Sequence, residues 1–419
     1  MNFFARYKKI FFVLIFLLFI VLIGYFLWRF FFLQTPLASL TNPSATGTVN
    51  GLPDIGAGGV TNNQGTGLPG TLPGEIGGAG TGTGATSANQ PDTRAIGGLT
   101  KTQSLTDTPI LNPTLAVDGQ VQYYNETDGH FYKIGADGKP TLLTDQVFHQ
   151  VDSITWAPSK DKAILQYPDG GKILYDFTTK KQYTLPSYWQ DFSFSPGSDQ
   201  IIAKSLALDP ENRWLVVSNP DGSGAKNLEP IGTEDKTVYP AWSPNNQIVA
   251  LYTQGVDFDR QEAFFVGLNG ENFKSTIVEG RGLQSQWSTS GDRLLYSVYS
   301  SSDNYNPRLW IVDANANTIG QDRRSLDLAT WADKCTFASN TVVYCAVPEN
   351  LQTGAGLFPE LEYQTKDNLY KIDLTTGAKQ LIAVPDGTYN ISQVIVPGNQ
   401  NYLYFTDQTN GRLYQVQLK

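Results

Sequence analysis

Histidine, cysteine and charged residues are scarce in this sequence of 419 residues, and each scarcity excludes a kind of chemistry. There are two histidines and two cysteines, and 16% of the residues are charged. Neither cysteine has a histidine nearby, as a zinc site would require. No Gly-x-Ser-x-Gly elbow and no phosphate-binding loop in a strand–helix context are present. We therefore expect no metal, no cofactor and no prolyl-oligopeptidase-type catalysis.

Positive charge is also in short supply. The chain has 30 Lys and Arg against 39 Asp and Glu, a formal net charge of −9. Proteins that bind nucleic acid need clustered positive charge to displace counterions from phosphates, so nucleic acid is excluded as a partner. Solvation of a large surface explains the excess of acidic residues most simply. An acidic site for a cation or a basic partner is the alternative.

Aromatic residues are absent from residues 34–122, although they make up 12% of the chain. Residues 34–97 are rich in Gly, Thr, Pro, Asn and Ala. Such a segment cannot bury enough apolar surface to offset the entropy of ordering, so we predict a disordered linker. It would act as a spacer with an end-to-end distance of roughly 40–45 Å, which is compatible with a neutral linker that has no sequence-specific function. Residues 98–419 form the folded domain.

A long apolar run occupies residues 10–33, with Arg29 as its only charged residue. As a helix it would be roughly 36 Å long, enough to cross a hydrocarbon core of about 30 Å. Three basic residues in the tail 1–9 place that tail in the cytoplasm and the rest of the chain outside. A cleaved signal peptide is the alternative, but its core is usually shorter, about 7–15 residues. The sequence thus predicts a signal-anchor helix in a single-pass protein of the cell membrane.

A short phrase recurs beyond the linker: an aromatic residue, a small residue and Pro, then a turn and an apolar β-type run. It is clearest at Trp156-Ala157-Pro158, and it returns with decay as far as residues 395–397. Successive phrases lie 38 to 58 residues apart. Units of that length with several short strands are typical of β-propeller blades.

The units predict an all-β, seven-bladed β-propeller, with six or eight blades as alternatives. The last unit has three strands before Lys419. Residues 100–107 resemble the outermost strand of the first unit, at residues 139–145. We therefore predict that residues 100–107 supply the missing strand of the last blade and close the ring.

These phrases resemble the TolB-like, WD40-like (PD40-type) propeller repeats of bacterial envelope proteins, over roughly residues 100–419. The match is carried by Trp242-Ser243-Pro244 and by a later strand that ends in Asp, at residues 308–313 and 368–373. The resemblance implies an extracytoplasmic propeller of the cell envelope. It implies no site residues, because the phrase is structural. The predicted anchor distinguishes this chain from soluble periplasmic TolB.

Cys335 and Cys345 fall on the first two strands of the sixth unit, on either side of a turn. Neighbouring antiparallel strands bring some residue pairs close enough for a disulfide. An exported domain lies in an oxidising compartment, which favours the bond. We predict a disulfide, with two buried thiols as the alternative.

Loop length is the remaining clue to function. In a four-strand meander A-B-C-D, the B–C loops and the D–A connections between blades lie on the same face. The B–C loops of units 3–6 are predicted to be long, and they carry aromatic residues among charged ones. Apolar anchors with a polar rim are typical of protein interfaces, although aromatic residues can also fold back over their own blades. The candidate partner-binding residues are Phe258, Asp259, Arg260, Tyr305, Phe358 and Tyr363.

The leading hypothesis is therefore a membrane-anchored, extracytoplasmic scaffold that binds an envelope protein and is not an enzyme. Binding of a glycan or the cell wall through the same face is one alternative, and exposed Trp or Tyr side chains would favour it. A propeller enzyme of the lyase or lactonase type is the other. It would need carboxylates converging on a metal at the central channel.

Overall fold

The computed structural model describes residues 16–23, 25, 90–135 and 137–419. The chain divides into two compact units, Met1–Thr81 and Gly82–Lys419. In the first unit, residues 16–23 are helical and lie within the predicted signal-anchor span. Among the described residues, no helix combines the length and apolarity needed to cross a membrane. The rest of that predicted span, apart from Tyr25, lies outside the described residues, as does the predicted linker up to residue 89.

The second unit is a β-propeller of seven sheets, as predicted from the repeats. Two short strands precede the first blade: β1 (Leu99–Thr100) and β2 (Gln103–Ser104). Blade 1 consists of β3 (Ile110–Leu115), β4 (Val121–Asn125), β5 (Phe131–Ile134) and β6 (Pro140–Leu142). Blade 2 consists of β7 (Ser153–Trp156), β8 (Lys162–Gln166), β9 (Lys172–Asp176) and β10 (Lys181–Thr184). Blade 3 consists of β11 (Trp189–Phe194), β12 (Ile201–Ser205), β13 (Trp214–Ser218) and β14 (Lys226–Pro230).

The remaining blades follow the same order. Blade 4 consists of β15 (Val238–Pro240), β16 (Ala250–Gly255), β17 (Gln261–Val266) and β18 (Thr276–Val278). Blade 5 consists of β19 (Arg281–Trp287), β20 (Arg293–Tyr299), β21 (Pro307–Asp313) and β22 (Arg324–Ser325). Blade 6 consists of β23 (Cys335–Ser339), β24 (Val342–Pro348), β25 (Asp367–Asp373) and β26 (Lys379–Pro385). Blade 7 consists of β27 (Ile391–Ile395), β28 (Tyr402–Asp407) and β29 (Leu413–Gln417).

Short 3₁₀ helices lie in the connections between strands: Pro210–Asn212, Asp235–Thr237, Ser301–Asp303, Ala332–Lys334 and Pro359–Glu362. The strands in the middle of a blade are the most buried. The three central residues of β8 are buried on both faces, whereas all of β10, at the outer edge of the same blade, is exposed. Neighbouring blades cover the middle strands from both sides, which is why those strands have continuous apolar sequences.

The recurrent phrase stabilises the A–B turn and the contact between blades. The Ser243 hydroxyl accepts hydrogen bonds from the backbone N–H of Ile248 at 2.9 Å and of Gln247 at 3.2 Å. The hydroxyls of Ser195 and Ser288 accept backbone hydrogen bonds in the same way in the A–B turns of their own blades. The aromatic residue of the phrase contacts the preceding blade in the case of Trp156. Its indole N–H donates a hydrogen bond to the Asn112 carbonyl of blade 1 at 2.8 Å. The phrase is therefore structural.

The predicted closure of the ring is confirmed, over a shorter length than residues 100–107. Strand β2 pairs antiparallel with β29 and completes blade 7. Beyond β2, the Leu105 N–H donates to the Leu413 carbonyl at 2.8 Å, and the Thr106 hydroxyl accepts from the backbone N–H of Leu413 at 3.0 Å. Strand β1 makes a contact that was not predicted: it pairs in parallel with β26, at the outer edge of blade 6. The segment that enters the propeller thus joins two blades.

Cys335 and Cys345 are cross-strand neighbours on β23 and β24, and they form a disulfide with a Cα–Cα distance of 4.0 Å. Both side chains are buried in the apolar core that blade 6 shares with blade 5. The bond therefore links the two inner strands of blade 6.

Candidate functional site

Among the loops of the propeller, large apolar side chains are exposed mainly on one face. This is the face of the B–C and D–A loops, which we call the loop face. Phe258 is 74% exposed and Phe358 is 56% exposed. The other large apolar side chains exposed in loops of this face are Tyr188, Leu208, Val256, Leu357 and Tyr363. In the loops of the opposite face, the described residues expose one such side chain, Val117.

Phe258 lies in the turn between β16 and β17. The B–C loop of blade 4 was predicted to be long, but β16 extends to Gly255 and β17 begins at Gln261, which leaves a short turn between them. The prediction of a long loop there is therefore wrong, because residues at both of its ends belong to paired strands. Arg260 donates from Nε to Asp257 at 2.7 Å, which holds the pKa of Asp257 below its usual range.

Hydrogen bonds join the loops of blades 4, 5 and 6. The Asp259 carboxylate accepts from the backbone N–H of Ser301 at 2.9 Å, across the gap between blades 4 and 5. The N–H of Gly356, in the loop of blade 6, donates to the Tyr305 carbonyl at 2.8 Å. A Cβ at Gly356 would lie 2.5 Å from the Tyr299 side chain, so only glycine permits this approach. The loops therefore form one connected surface.

The predicted partner-binding residues have three different roles in the structure. Phe258, Phe358 and Tyr363 present exposed side chains. Asp259 and Tyr305 are partly buried, and their polar groups join neighbouring loops. Arg260 is exposed and paired with its neighbour Asp257, so it contributes to the polar rim.

A buried ionic cluster, which sequence analysis did not predict, lies beneath the loop of blade 6. Lys334 Nζ contacts Glu362 at 3.0 Å and Asp367 at 2.9 Å. The Asn390 side-chain amide donates to Glu362 at 2.9 Å, and the N–H of Ile391 donates to Asp367 at 2.6 Å. Because Glu362 ends the 3₁₀ helix that follows Phe358, the cluster anchors the part of the loop that exposes this aromatic ring.

Burial controls the protonation of this cluster. The loss of hydration raises the pKa of Asp367 to about 6, although the neighbouring Lys334 ammonium opposes the shift. The Lys334 ammonium also lies 5.7 Å from the centre of the Trp331 ring. No sequence pattern indicates the cluster, because its charged residues belong to separate connections and strands.

The central channel is the second candidate site. It contains a cavity of about 700 Å³ that is lined by both polar and apolar side chains, among them one lysine and two aspartates. Asp407 is buried and accepts the backbone N–H of Asn390 at 3.1 Å, so it is used within the fold. Among the described residues, no group of three or more His, Cys, Asp or Glu is placed to hold a metal ion.

No protein-family model and no curated protein matches this sequence. Several solved structures are similar in fold. Oligogalacturonate lyase in complex with manganese aligns with a TM-score of 0.54 and 14% identity, over 76% of this chain and 93% of the lyase. The β-propeller domain of Cps50 (Swd1) from Myceliophteria thermophila aligns with a TM-score of 0.51 and 12% identity, over 76% of this chain and 100% of that domain.

TolB from Acinetobacter baumannii also aligns, with a TM-score of 0.40 and 14% identity, over 66% of this chain and 64% of TolB. The lyase and the Cps50 domain support the propeller architecture. At such low identity the likeness concerns the fold alone. The neighbours differ in function, so they do not distinguish a binding scaffold from an enzyme.

Proposed function

We propose that this chain is a single-pass membrane protein of the bacterial cell envelope, with its N-terminus in the cytoplasm and its propeller outside. In this proposal residues 10–33 anchor the chain and residues 34–97 are the tether. The propeller binds an envelope protein through its loop face and catalyses no reaction. The exposed apolar side chains of the loop face are the observation that carries the proposal.

Exposure of these aromatic side chains leaves free energy available for binding. Burying a side chain such as Phe258 contributes about 1.5–3 kcal/mol relative to leaving it in water. Phe358 and Tyr363 belong to the same connected surface, with the Asp257–Arg260 pair at its edge. An apolar centre with a polar rim matches the composition of protein interfaces.

The bonds between the loops reduce the cost of binding. Ordering a mobile loop on association would consume part of the interaction free energy. Asp259 and Gly356 already hold the loops of blades 4 to 6 against one another, and the buried cluster at Lys334 anchors the longest of them. A membrane tether would add to this by keeping the propeller at a high effective concentration near other envelope proteins.

Site-specific photo-crosslinking in living cells tests the proposal. A photoreactive phenylalanine analogue is placed singly at Phe258 and at Phe358 in the full chain. The matched control is Val117, which is 85% exposed on the opposite face. We expect a discrete protein adduct from both loop-face positions and none from the control.

Two results would contradict the proposal. Equal adducts from all three positions would indicate non-specific contact. Adducts that a glycosidase removes and a protease does not would favour the glycan or cell-wall alternative, because they would contain carbohydrate instead of protein.

A further inference from the structure

The central channel contains two charged groups that the proposed protein-binding surface does not use. Lys160 lies in the A–B turn of blade 2, and Asp333 lies in the connection before strand A of blade 6. Both line the same cavity of about 700 Å³. A–B turns and D–A connections are on opposite faces of a propeller, so the two charges stand at opposite ends of the channel.

Neither group has a partner of opposite charge. The Asp333 carboxylate makes no hydrogen bond and no ion pair with the described residues. Lys160 Nζ donates to the Thr114 hydroxyl at 2.9 Å, and no carboxylate of the described chain lies within 4.0 Å of it. By solvent exposure, Lys160 is partly buried and Asp333 is exposed within the channel. The surrounding channel walls still reduce the hydration of both groups, which lowers the pKa of Lys160 and raises the pKa of Asp333.

The other polar groups of the channel suit a peptide backbone. The side chains of Gln286, Thr336 and Gln408 line the cavity and make no hydrogen bond with the described part of the chain. Amide side chains both donate and accept hydrogen bonds, as a peptide group does. Strand β3, one of the channel walls, would span roughly 20 Å at about 3.3 Å per residue. An extended peptide of about six residues has a similar length.

We propose that the channel binds a short peptide with free termini, its ammonium group at Asp333 and its carboxylate at Lys160. Each terminus supplies the charge that the channel residue lacks. The glutamine and threonine side chains contact the peptide groups between them. This site is separate from the loop-face surface, and the proposal does not depend on the identity of the protein partner.

Calorimetric titration of the full chain in detergent micelles with an alanine–serine hexapeptide tests this site without any substitution. Three peptides are compared: the alanine–serine hexapeptide, its N-acetyl derivative and its C-terminal amide. A hydrogen bond to a charged group contributes about 1.5–3 kcal/mol, so blocking either end should weaken binding by at least about tenfold. Equal affinity for all three peptides, or no binding of the free peptide at millimolar concentration, would overturn the proposal.

Two substitutions then test the orientation. In Asp333→Asn the preference for the free ammonium over the acetylated end should disappear, while the amide is still bound more weakly than the free carboxylate. Lys160→Gln should show the reverse pattern. The control variants are Asp145→Asn and Lys180→Gln, which disrupt an exposed ion pair of 2.9 Å outside the channel.

The control variants should bind all three peptides as the unmodified chain does. The assignment of the two ends would be overturned if Asp333→Asn lost the preference for the free carboxylate, or if Lys160→Gln lost the preference for the free ammonium group. The loss of either preference in the control variants would also overturn it. Thermal unfolding of each variant checks that it is folded, and the comparison of blocked peptides on the unmodified chain stands even if a variant is not.

Discussion

Replacing Lys334 by Met tests whether the buried cluster stabilises the propeller beneath the loop face. The substitution keeps a long side chain, removes the ammonium group, and leaves Glu362 and Asp367 without their cation. Removing one partner of a buried ion pair costs about 3–5 kcal/mol, because an uncompensated charge remains buried. We therefore expect Lys334→Met to be strongly destabilised.

The expected change in melting temperature follows from the size of the domain. For about 320 residues, the entropy of unfolding makes 1 kcal/mol equivalent to about 1.5 °C, so the loss corresponds to about 5–8 °C. Lys180→Met is the matched control, because Lys180 pairs with Asp145 at 2.9 Å on the exposed surface. Its melting temperature should be unchanged, since exposed pairs contribute little.

The pH dependence provides a second readout. The folded-state pKa of Asp367, about 6, lies above its ordinary value of 3.8. The protonated carboxyl therefore contributes stability that is fully present below about pH 4 and is lost as the pH rises through about 6. Without the Lys334 ammonium the pKa of Asp367 rises further. The deficit of Lys334→Met relative to the unmodified chain should therefore shrink between about pH 8 and pH 5.

Differential scanning calorimetry across this pH range measures both effects. Hydrogen exchange at residues 349–366 measures whether the loop opens more readily in Lys334→Met than in Lys180→Met. A melting temperature within about 1 °C of the unmodified chain at every pH would refute the reasoning, because the pair would then contribute no net stability.

Two further predictions concern closure of the ring and membrane orientation. A chain that begins at residue 90 should keep the thermal stability of the propeller, whereas one that begins at residue 105 should melt several degrees lower, because the edges of β26 and β29 lose their partners. Equal melting temperatures would contradict the role of the entering segment. Protease added to intact spheroplasts should cut within residues 34–97 and release a fragment of about 320 residues, and release only after lysis would contradict the proposed orientation.

The blade architecture was predictable because its signals are local. The phrase at Trp242-Ser243-Pro244 encodes one turn, and the Ser243 hydroxyl holds that turn through contacts four and five residues away. Closure was predictable for a related reason, since a blade that lacks its fourth strand leaves an edge that a similar strand can fill. The parallel contact of β1 with blade 6 was not, because a strand of two residues carries no distinctive pattern.

The candidate surface was predictable in part. Exposed aromatic residues in surface loops indicated Phe258 and Phe358, and both are exposed. The length of the blade-4 loop was overestimated, because the sequence around Gly255 and Gln261 does not show where the pairing of the two strands ends. The structural role of Asp259 depends on Ser301 of the next blade, which only the packing of blades brings near.

The sequence by itself determined the number of blades, the strand that closes them and the apolar run that predicts an anchor, because each depends on a local pattern or on composition. Only the tertiary structure decided which charges meet. Lys334 is separated by 28 residues from Glu362 and by 33 from Asp367 along the chain, yet the fold buries them in contact. Lys160 and Asp333 lie in different blades, and ring closure alone places them in one channel without partners. The physical reason is that charge pairing depends on distances in space, which a sequence repeat does not encode.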